Sequence, residues 1–388
     1  MVEPKRFLQP LRGLNVVSME EIPTGLIVAI MGFALGIVFG ATAQRTNFCT
    51  MGAISDMVIM GNFNRFRAWM LATVVAIAGS QALHLTETVD LTRSIYLSAN
   101  LGWVGAILGG LIFGFGMTLT GGCGNKTLIR LGAGSLKSLV VALVLGIFAY
   151  MTLRGLIGLA RVEIEGLTNI DLQEMGLAHQ GIPDLLALAG LAPATARFVA
   201  TAVAVGGLIW FCFKSTEFRA SRTDLIGGLI VGLLIPAAWY VTGVIGYDEF
   251  EPTPVAAFTF VNPVGESLQY LMTFTGSNIS FGIAAVGGVI VGSFVSAKAA
   301  GEFQFESFSD VGDMVRHITG AALMGTGGIM ALGCTIGQGV TGMSTLAVGS
   351  LIALFSIIFG GIIGIKYLEE GSFGGALGAL FARGARPK

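Results

Sequence analysis

Three of the four cysteines share a setting in which a side chain and its backbone can do chemistry together. They lie in Arg45-Thr-Asn47-Phe-Cys49-Thr50-Met-Gly52, in Thr120-Gly121-Gly122-Cys123-Gly124-Asn125-Lys126, and in Gly333-Cys334-Thr335-Ile-Gly337-Gln338-Gly339. Each reads as a Gly-rich apolar run, a break, a cysteine with small polar neighbours, and a short amphipathic stretch. Glycine lets the chain leave a helix, and non-helical backbone survives at membrane depth only where it is buried in protein or lines a cavity. A short helix starting after each break aims free N–H groups and a positive dipole end at that cavity. The arrangement suits a small anion, whose water shell must be replaced by hydrogen-bond donors in a low dielectric. Backbone N–H groups, Asn47, Thr50, Asn125, Thr335, Gln338 and the thiols are the candidate donors, and Arg45 and Lys126 add charge. Thiols are weak donors and polarizable, so a soft sulfur-bearing anion fits better than sulfate or phosphate, which hydroxyls and arginines serve better.

Other chemistries find less support. No cysteine pair has zinc-type spacing and no Cys-x-x-Cys or haem pattern occurs, so neither a metal nor a cofactor is expected. A membrane-embedded thiol enzyme remains an alternative, but it needs a resolving partner or a base that the sequence does not place beside a cysteine. No phosphate-binding Gly-x-x-x-x-Gly-Lys-Ser/Thr loop is present. The net charge of −1 gives no reason to expect a nucleic-acid partner. Cys212, in Leu208-Ile-Trp-Phe-Cys212-Phe, has no polar or glycine neighbours and reads as packing. His84, His179 and His317 read as interfacial residues at span ends or in a loop, and Trp69, Trp103 and Trp239 as packing or belt residues.

The elements that must position these residues are membrane helices. The 388-residue chain is 54% hydrophobic and 12% charged, against about 25% charged in soluble domains. Its 58 glycines follow no collagen-like period, which points to closely packed and broken membrane helices. Runs of about 20 apolar residues suffice to cross a bilayer, and the sequence offers nine: 23–43, 68–85, 101–121, 135–158, 195–213, 225–246, 280–298, 316–333 and 347–368. The first is too long for a signal-peptide core and is read as a retained span. Shorter pieces at 50–61, 124–132, 183–192, 263–274 and 336–346 are expected as half-helices or re-entrant segments. The fold class is thus an all-α polytopic membrane protein in a single transport domain, residues 1–388.

With nine spans and an external N-terminus, one set of loops holds 14 basic residues and the other six. The richer set includes Arg45, Arg65, Arg67, Lys126, Arg130, Lys137, Arg383, Arg386 and Lys388; the poorer includes Lys5, Arg6 and Arg12. The positive-inside rule then places the C-terminus in the cytoplasm. The outer loops are acidic, with Glu163, Glu165, Asp171 and Glu174 in one and Asp248, Glu249 and Glu251 in another. The sequence also repeats itself: Gly25-Leu-Ile-Val28 recurs as Gly228-Leu-Ile-Val231, and Gly122-Cys123 as Gly333-Cys334. A Gly-Ser-Leu follows each Gly-Cys, at 134–136 and 349–351. Two pseudo-symmetric halves, near 20–160 and 223–370, are expected. An odd number of spans in each would invert one relative to the other and place a binding site at their interface.

At these residues the sequence resembles the YeeE/YedE family of bacterial inner-membrane proteins, whose characterised members take up thiosulfate. The marks are Arg45-Thr-Asn-Phe-Cys49-Thr-Met-Gly52 with Asp56, Gly121-Gly-Cys123-Gly-Asn125, and Gly333-Cys334-Thr-Ile-Gly-Gln338-Gly339; their order and the span pattern cover most of the chain. The resemblance implies a nine-span, pseudo-symmetric fold that narrows at its middle, in the bacterial inner membrane. It implies that Cys49, Cys123 and Cys334 lie along a path where thiosulfate passes between thiols through transient S–H···S contacts. It also implies a small cytoplasmic sulfur-carrier protein as partner. Other sulfur or selenium species, such as sulfite or sulfide, remain alternative substrates.

Overall fold

Glycine spacing decides which helices meet. The first helix, α1 (Thr24–Thr46), carries Gly32, Gly36 and Gly40 one turn apart. In the computed structural model, which describes residues 23–248 and 253–381, this stripe lies directly on the backbone of a distant helix. Lys5, Arg6, Arg12, Glu249, Glu251, Arg383, Arg386 and Lys388, all counted in the loop charges, lie outside the described residues.

The chain continues through a short helix, α2 (Thr50–Ser55), extended by a π-wound turn at Asp56–Met60, into α3 (Asn64–Leu85). Next come α4 (Trp103–Leu119), the short α5 (Gly124–Gly132) and α6 (Leu136–Arg154). Peripheral elements follow: α7 (Leu156–Thr168), α8 (Ile182–Leu188), α9 (Pro193–Phe213) and α10 (Thr216–Ala220). Then α11 (Arg222–Tyr240), with a π-wound end at Val241–Ile245, leads by an extended segment to α12 (Val261–Met272) and α13 (Phe281–Ala300). After α14 (Val311–Met330), residues 335–344 form a short helix π-wound at Gly337–Gly342. Finally α15 (Val348–Glu370) and α16 (Phe373–Phe381) close the described chain.

Eight helical stretches among the described residues are long and apolar enough to cross a membrane. The ninth expected span, α14, has 20 residues but begins with Asp313, Arg316 and His317. Outward faces are apolar, as lipid requires: Ile30, Ile147, Val203, Trp210 and Phe355 are all exposed. This is a multi-pass α-helical membrane protein. The expected short pieces at 50–61, 124–132, 183–192, 263–274 and 336–346 appear as short helices within two residues of their start, though 183–192 ends four residues early. One boundary moves further. The span read as 135–158 stops at Arg154, where Gly155 breaks the helix, and Glu163 and Glu165 sit on α7 and not in a loop. There Arg161 pairs with Glu165 one turn on, at 2.8 Å, which favours helix over loop.

Small residues allow backbones to touch. A Cβ added at Gly36 would lie 2.5 Å from the Ala285 carbonyl oxygen, and one at Gly40 would lie 2.2 Å from that of Val289, so α1 and α13 run parallel in direct contact. By the same measure α11 runs parallel to α3, with Gly228 on Ala68 and Gly232 on Ala72. Gly110 on Ala353 and Gly114 on Ile357 set α4 parallel to α15. In contrast, Gly109 meets Gly327 and Gly116 meets Gly320, so α4 and α14 are antiparallel. Meanwhile α14 also packs on α6, with Gly325 against Leu145. Exchanging α1 with α11, α3 with α13, α4 with α14 and α6 with α15 maps this set of contacts onto itself.

These contacts leave no room for a side chain. Gly114→Val is expected to cost about 3 kcal/mol or more through overpacking and to sharply reduce the yield of monodisperse protein in detergent. Gly206→Ala, on the exposed face of α9 with nothing within 4 Å, should leave yield and Tm unchanged. Size-exclusion chromatography and thermal unfolding of both variants provide the check.

Candidate functional site

All three cysteine motifs fold into one local device. Two residues before each cysteine the chain takes a left-handed conformation: Asn47 (φ 50), Gly121 (φ 64) and Leu332 (φ 56). The following N–H then reaches back five residues to close the preceding helix: Phe48 to Ala43, Gly122 to Met117 and Gly333 to Gly328. This pairing satisfies carbonyls that would otherwise be orphaned at a helix end. The cysteine that follows opens the next short helix. Cys49 and Cys123 are extended N-cap residues of α2 and α5. The Cys49 sulfur accepts from the Gly52 N–H at 3.5 Å, and the Cys334 sulfur from the Gly337 N–H at 3.4 Å. Cys123 differs: its thiol donates to Asn125 Oδ1.

The short helices point inward from opposite ends of the bundle. Gly124 lies beside Leu145, halfway along α6, and beside Phe260, the N-cap of α12. From there α5 runs out to Ile290 and Ser293 on α13. Residues 335–344 instead start beside Thr259 and Tyr96 and end where Ser344 accepts from Trp239 Nε1 at 3.1 Å. Thr73 and Thr341 tie this second piece down, donating to Gly339 O and Phe258 O. Four short helices thus begin at the centre. Three have a cysteine at the N-cap and the fourth has Phe260.

The centre is closed. Cys123, Cys334 and Thr335 are fully buried and Cys49 nearly so, among Phe39, Phe113, Phe258 and Phe260. The Cys123 sulfur neighbours the Cys49 thiol and the Thr335 hydroxyl, while Cys334 lies near the Tyr96 hydroxyl. Several polar atoms here are buried without a nitrogen or oxygen partner among the described residues: Thr50 Oγ1, Asn125 Nδ2, Thr335 Oγ1 and Gln338 Oε1. The second amide atom of Gln338, Nε2, donates to Ala331 O. Groups of this kind normally find partners. Small cavities flank the centre. One, beside Cys49, is lined by Asn47, Arg65, Trp69 and Asp224. The other, on the Cys334 side, is lined by Tyr96, Gln180, Gln338 and Ser350.

Charge gathers near Cys49. Lys126 is 8% exposed, and its Nζ donates to Asn47 Oδ1 at 3.0 Å. Arg130 lies against Gly122, and among the described residues neither cation has a carboxylate partner. Arg65 donates to Asn47 O at 2.9 Å and pairs with Asp56 at 3.2 Å. Arg45, in contrast, is exposed and donates to Ser296 on α13 at 3.2 Å, so it does not join the cysteines. The structure therefore gathers Asn47, Cys49, Cys123, Asn125, Lys126, Cys334, Thr335 and Gln338 and sets Arg45 apart. Of the glycines, Gly121, Gly122 and Gly333 form the turns, and Gly124, Gly337 and Gly339 admit Phe260, Thr259 and Trp69. Sequence reasoning missed Arg65, Arg130, Tyr96 and Thr259 as neighbours of the centre. Cys212 packs with Ala68, Leu71 and Phe218, as expected of a packing residue. No group of three or more His, Cys, Asp or Glu among the described residues could hold a metal.

Helices broken at mid-depth around a closed polar centre define a membrane transport protein. The chain belongs to the sulphur transport family, whose profile matches residues 45–363. It is 28% identical over 324 residues to the thiosulfate transporter TsuA of Escherichia coli K12, covering 80% of this chain and 86% of that protein. The thiosulfate transporter TsuA of Spirochaeta thermophila is 25% identical over 310 residues, 79% of this chain and 89% of that one. The probable transporter YedE of E. coli K12 is 31% identical over 104 residues, 26% of this chain and 24% of its own length.

All four thiols are buried, which predicts that the folded protein without substrate resists alkylation. N-ethylmaleimide should label Cys49, Cys123, Cys212 and Cys334 slowly in mild detergent and rapidly after unfolding. Peptide mass spectrometry at timed intervals measures this. Fast labelling of Cys123 in the folded protein would contradict the closed centre.

Proposed function

We propose that this protein carries thiosulfate across the bacterial inner membrane along a path lined by Cys49, Cys123 and Cys334. The observation that carries the reading is the convergence of three thiols, each at the first turn of a short helix, with buried polar atoms that have no nitrogen or oxygen partner among the described residues. The names of its relatives support thiosulfate as the substrate. A thiol gives the anion's terminal sulfur a weak donor of matching softness, and the anion passes from one S–H to the next without a covalent bond. Lys126 and Arg130 supply positive charge near Cys49 and Cys123.

The same reading covers the architecture. The two halves, near 20–160 and 223–370, act as inverted repeats of one transport domain; the reciprocal helix contacts and the antiparallel α4–α14 pair support this. The excess of basic residues on one set of loops supports an external N-terminus and a cytoplasmic C-terminus. A small cytoplasmic sulfur-carrier protein would receive the product at the Lys126 end.

Uptake of radiolabelled thiosulfate into cells lacking other thiosulfate carriers tests the function. Normalised to inserted protein, Cys123→Ala and Cys334→Ala should lose about tenfold or more of the rate, the scale of one hydrogen bond to a charged group. Cys49→Ala should lose less, and Cys212→Ala nothing. Full uptake by Cys123→Ala and Cys334→Ala would refute the path.

Substrate chemistry is tested separately. Unlabelled sulfate, which has no soft terminal sulfur, should compete for uptake at least about tenfold more weakly than unlabelled thiosulfate, an expectation that follows from the difference in fit to the thiols. Equal inhibition constants would leave anion transport standing and remove the role of soft sulfur.

A further inference from the structure

Three groups meet at the Cys123 sulfur: the Cys49 thiol, the Asn125 amide and the Thr335 hydroxyl. Two of these carry unused hydrogen-bonding capacity. Asn125 is 1% exposed and spends its Oδ1 on the Cys123 S–H, which leaves Nδ2 with no partner among the described residues. Thr335 is fully buried, and its Oγ1 has no nitrogen or oxygen partner. Both lie in a region with no carboxylate, on helices of opposite halves of the chain. A buried N–H or O–H left unmade is costly, and thiols alone cannot complete the coordination of an anion that also bears oxygens.

We propose that Asn125 Nδ2 and Thr335 Oγ1 form an oxygen-recognition subsite that holds the sulfonate end of the transported anion beside Cys123. The terminal sulfur then faces the thiols of Cys49 and Cys123, so the anion is bound in one orientation. Asn125 has a second task. Because its Oδ1 accepts the Cys123 S–H, it sets which way that S–H points, and Cys123 releases this bond when the anion arrives. The ligand class is a small anion with an –SO3 group and a soft sulfur end. Neutral donors suit this position, since a cation held here would bind the anion too tightly to pass it on. The inference rests on the transport reading above.

The experiment measures KM and maximal rate of labelled thiosulfate uptake in Thr335→Val, Thr335→Ser, Asn125→Asp and Cys123→Ala. Aspartate keeps an acceptor for the Cys123 S–H but loses the N–H donor and adds a buried negative charge, so Thr335→Val against Thr335→Ser, which changes no charge, is the comparison that isolates the subsite. The proposal expects KM to rise about tenfold to a hundredfold in Thr335→Val and Asn125→Asp, the range for hydrogen bonds to a charged group, with Thr335→Ser close to wild type. Thr335→Val and Asn125→Asp with wild-type KM, alongside impaired Cys123→Ala, would overturn the subsite and leave the thiol path intact. Wild-type uptake by Cys123→Ala would instead overturn the path. A second measurement, the rise in Tm of purified protein on adding sodium thiosulfate, covers a variant that inserts poorly. Protection lost in Thr335→Val and Asn125→Asp but kept in Thr335→Ser supports the subsite, and protection equal to wild type in all of them removes it.

Discussion

A membrane interior offers no water to satisfy a broken backbone, and every feature of the centre follows from how this chain meets that constraint. The left-handed residue before each cysteine lets the helix end close on itself, with Gly122 N–H bonded to Met117 O and Gly333 N–H to Gly328 O. The chain can then turn at mid-depth without leaving carbonyls bare. Glycine adopts that conformation at little cost, but Leu332 does so with a side chain, against a penalty of about 1 kcal/mol or more. Asn47 is a residue that tolerates it. Its side chain accepts from Lys126 and its carbonyl from Arg65, so the same turn that ends α1 also ties two cations to the Cys49 end.

The glycine contacts serve the same constraint at longer range. Helix pairs such as α1–α13 and α4–α15 approach until backbone meets backbone. That closes the seams between these long helices. Dispersion and close packing, not a hydrophobic driving force, hold helices together in lipid. A rigid frame of this kind lets the short helices end at a common point. Trp69 against Gly339 and Trp239 bonded to Ser344 wedge the last of them in place.

Much of this was legible in the sequence because it is written locally. An apolar run of fixed length, a Gly-Gly-Cys or Gly-Cys-Thr step, and a stretch too short to cross are all contiguous features. The five short pieces accordingly appeared close to where the sequence put them. The helix break at Gly155 was less legible, because an apolar run continues through it. Contacts made at a distance were not legible at all. Arg45 is four residues from Cys49 yet turns to Ser296, while Arg130, seven residues from Cys123, folds back over Gly122. Tyr96 and Thr259 reach the Cys334 side from segments that no cysteine motif marks. The Gly-Ser-Leu match also misleads. Gly134 precedes α6, but 349–351 lies within α15, and the residue that turns before that helix is Leu346, in the left-handed region at φ 59.

The two cavities differ in charge. The cavity beside Cys49 is lined by Arg65, with Lys126 and Arg130 close behind, whereas no residue lining the cavity on the Cys334 side is charged. An anion in a low-dielectric passage feels these cations strongly, because they are screened by little water. Asp224 also lines the Cys49 cavity and Arg65 pairs with Asp56, so the cations left for an anion there are Lys126 and Arg130. A cation with no carboxylate partner is a costly thing to bury. The cost is offset if the partner is the passing anion itself. On the path proposed above, the anion would replace Asn47 Oδ1 as the partner of Lys126 Nζ.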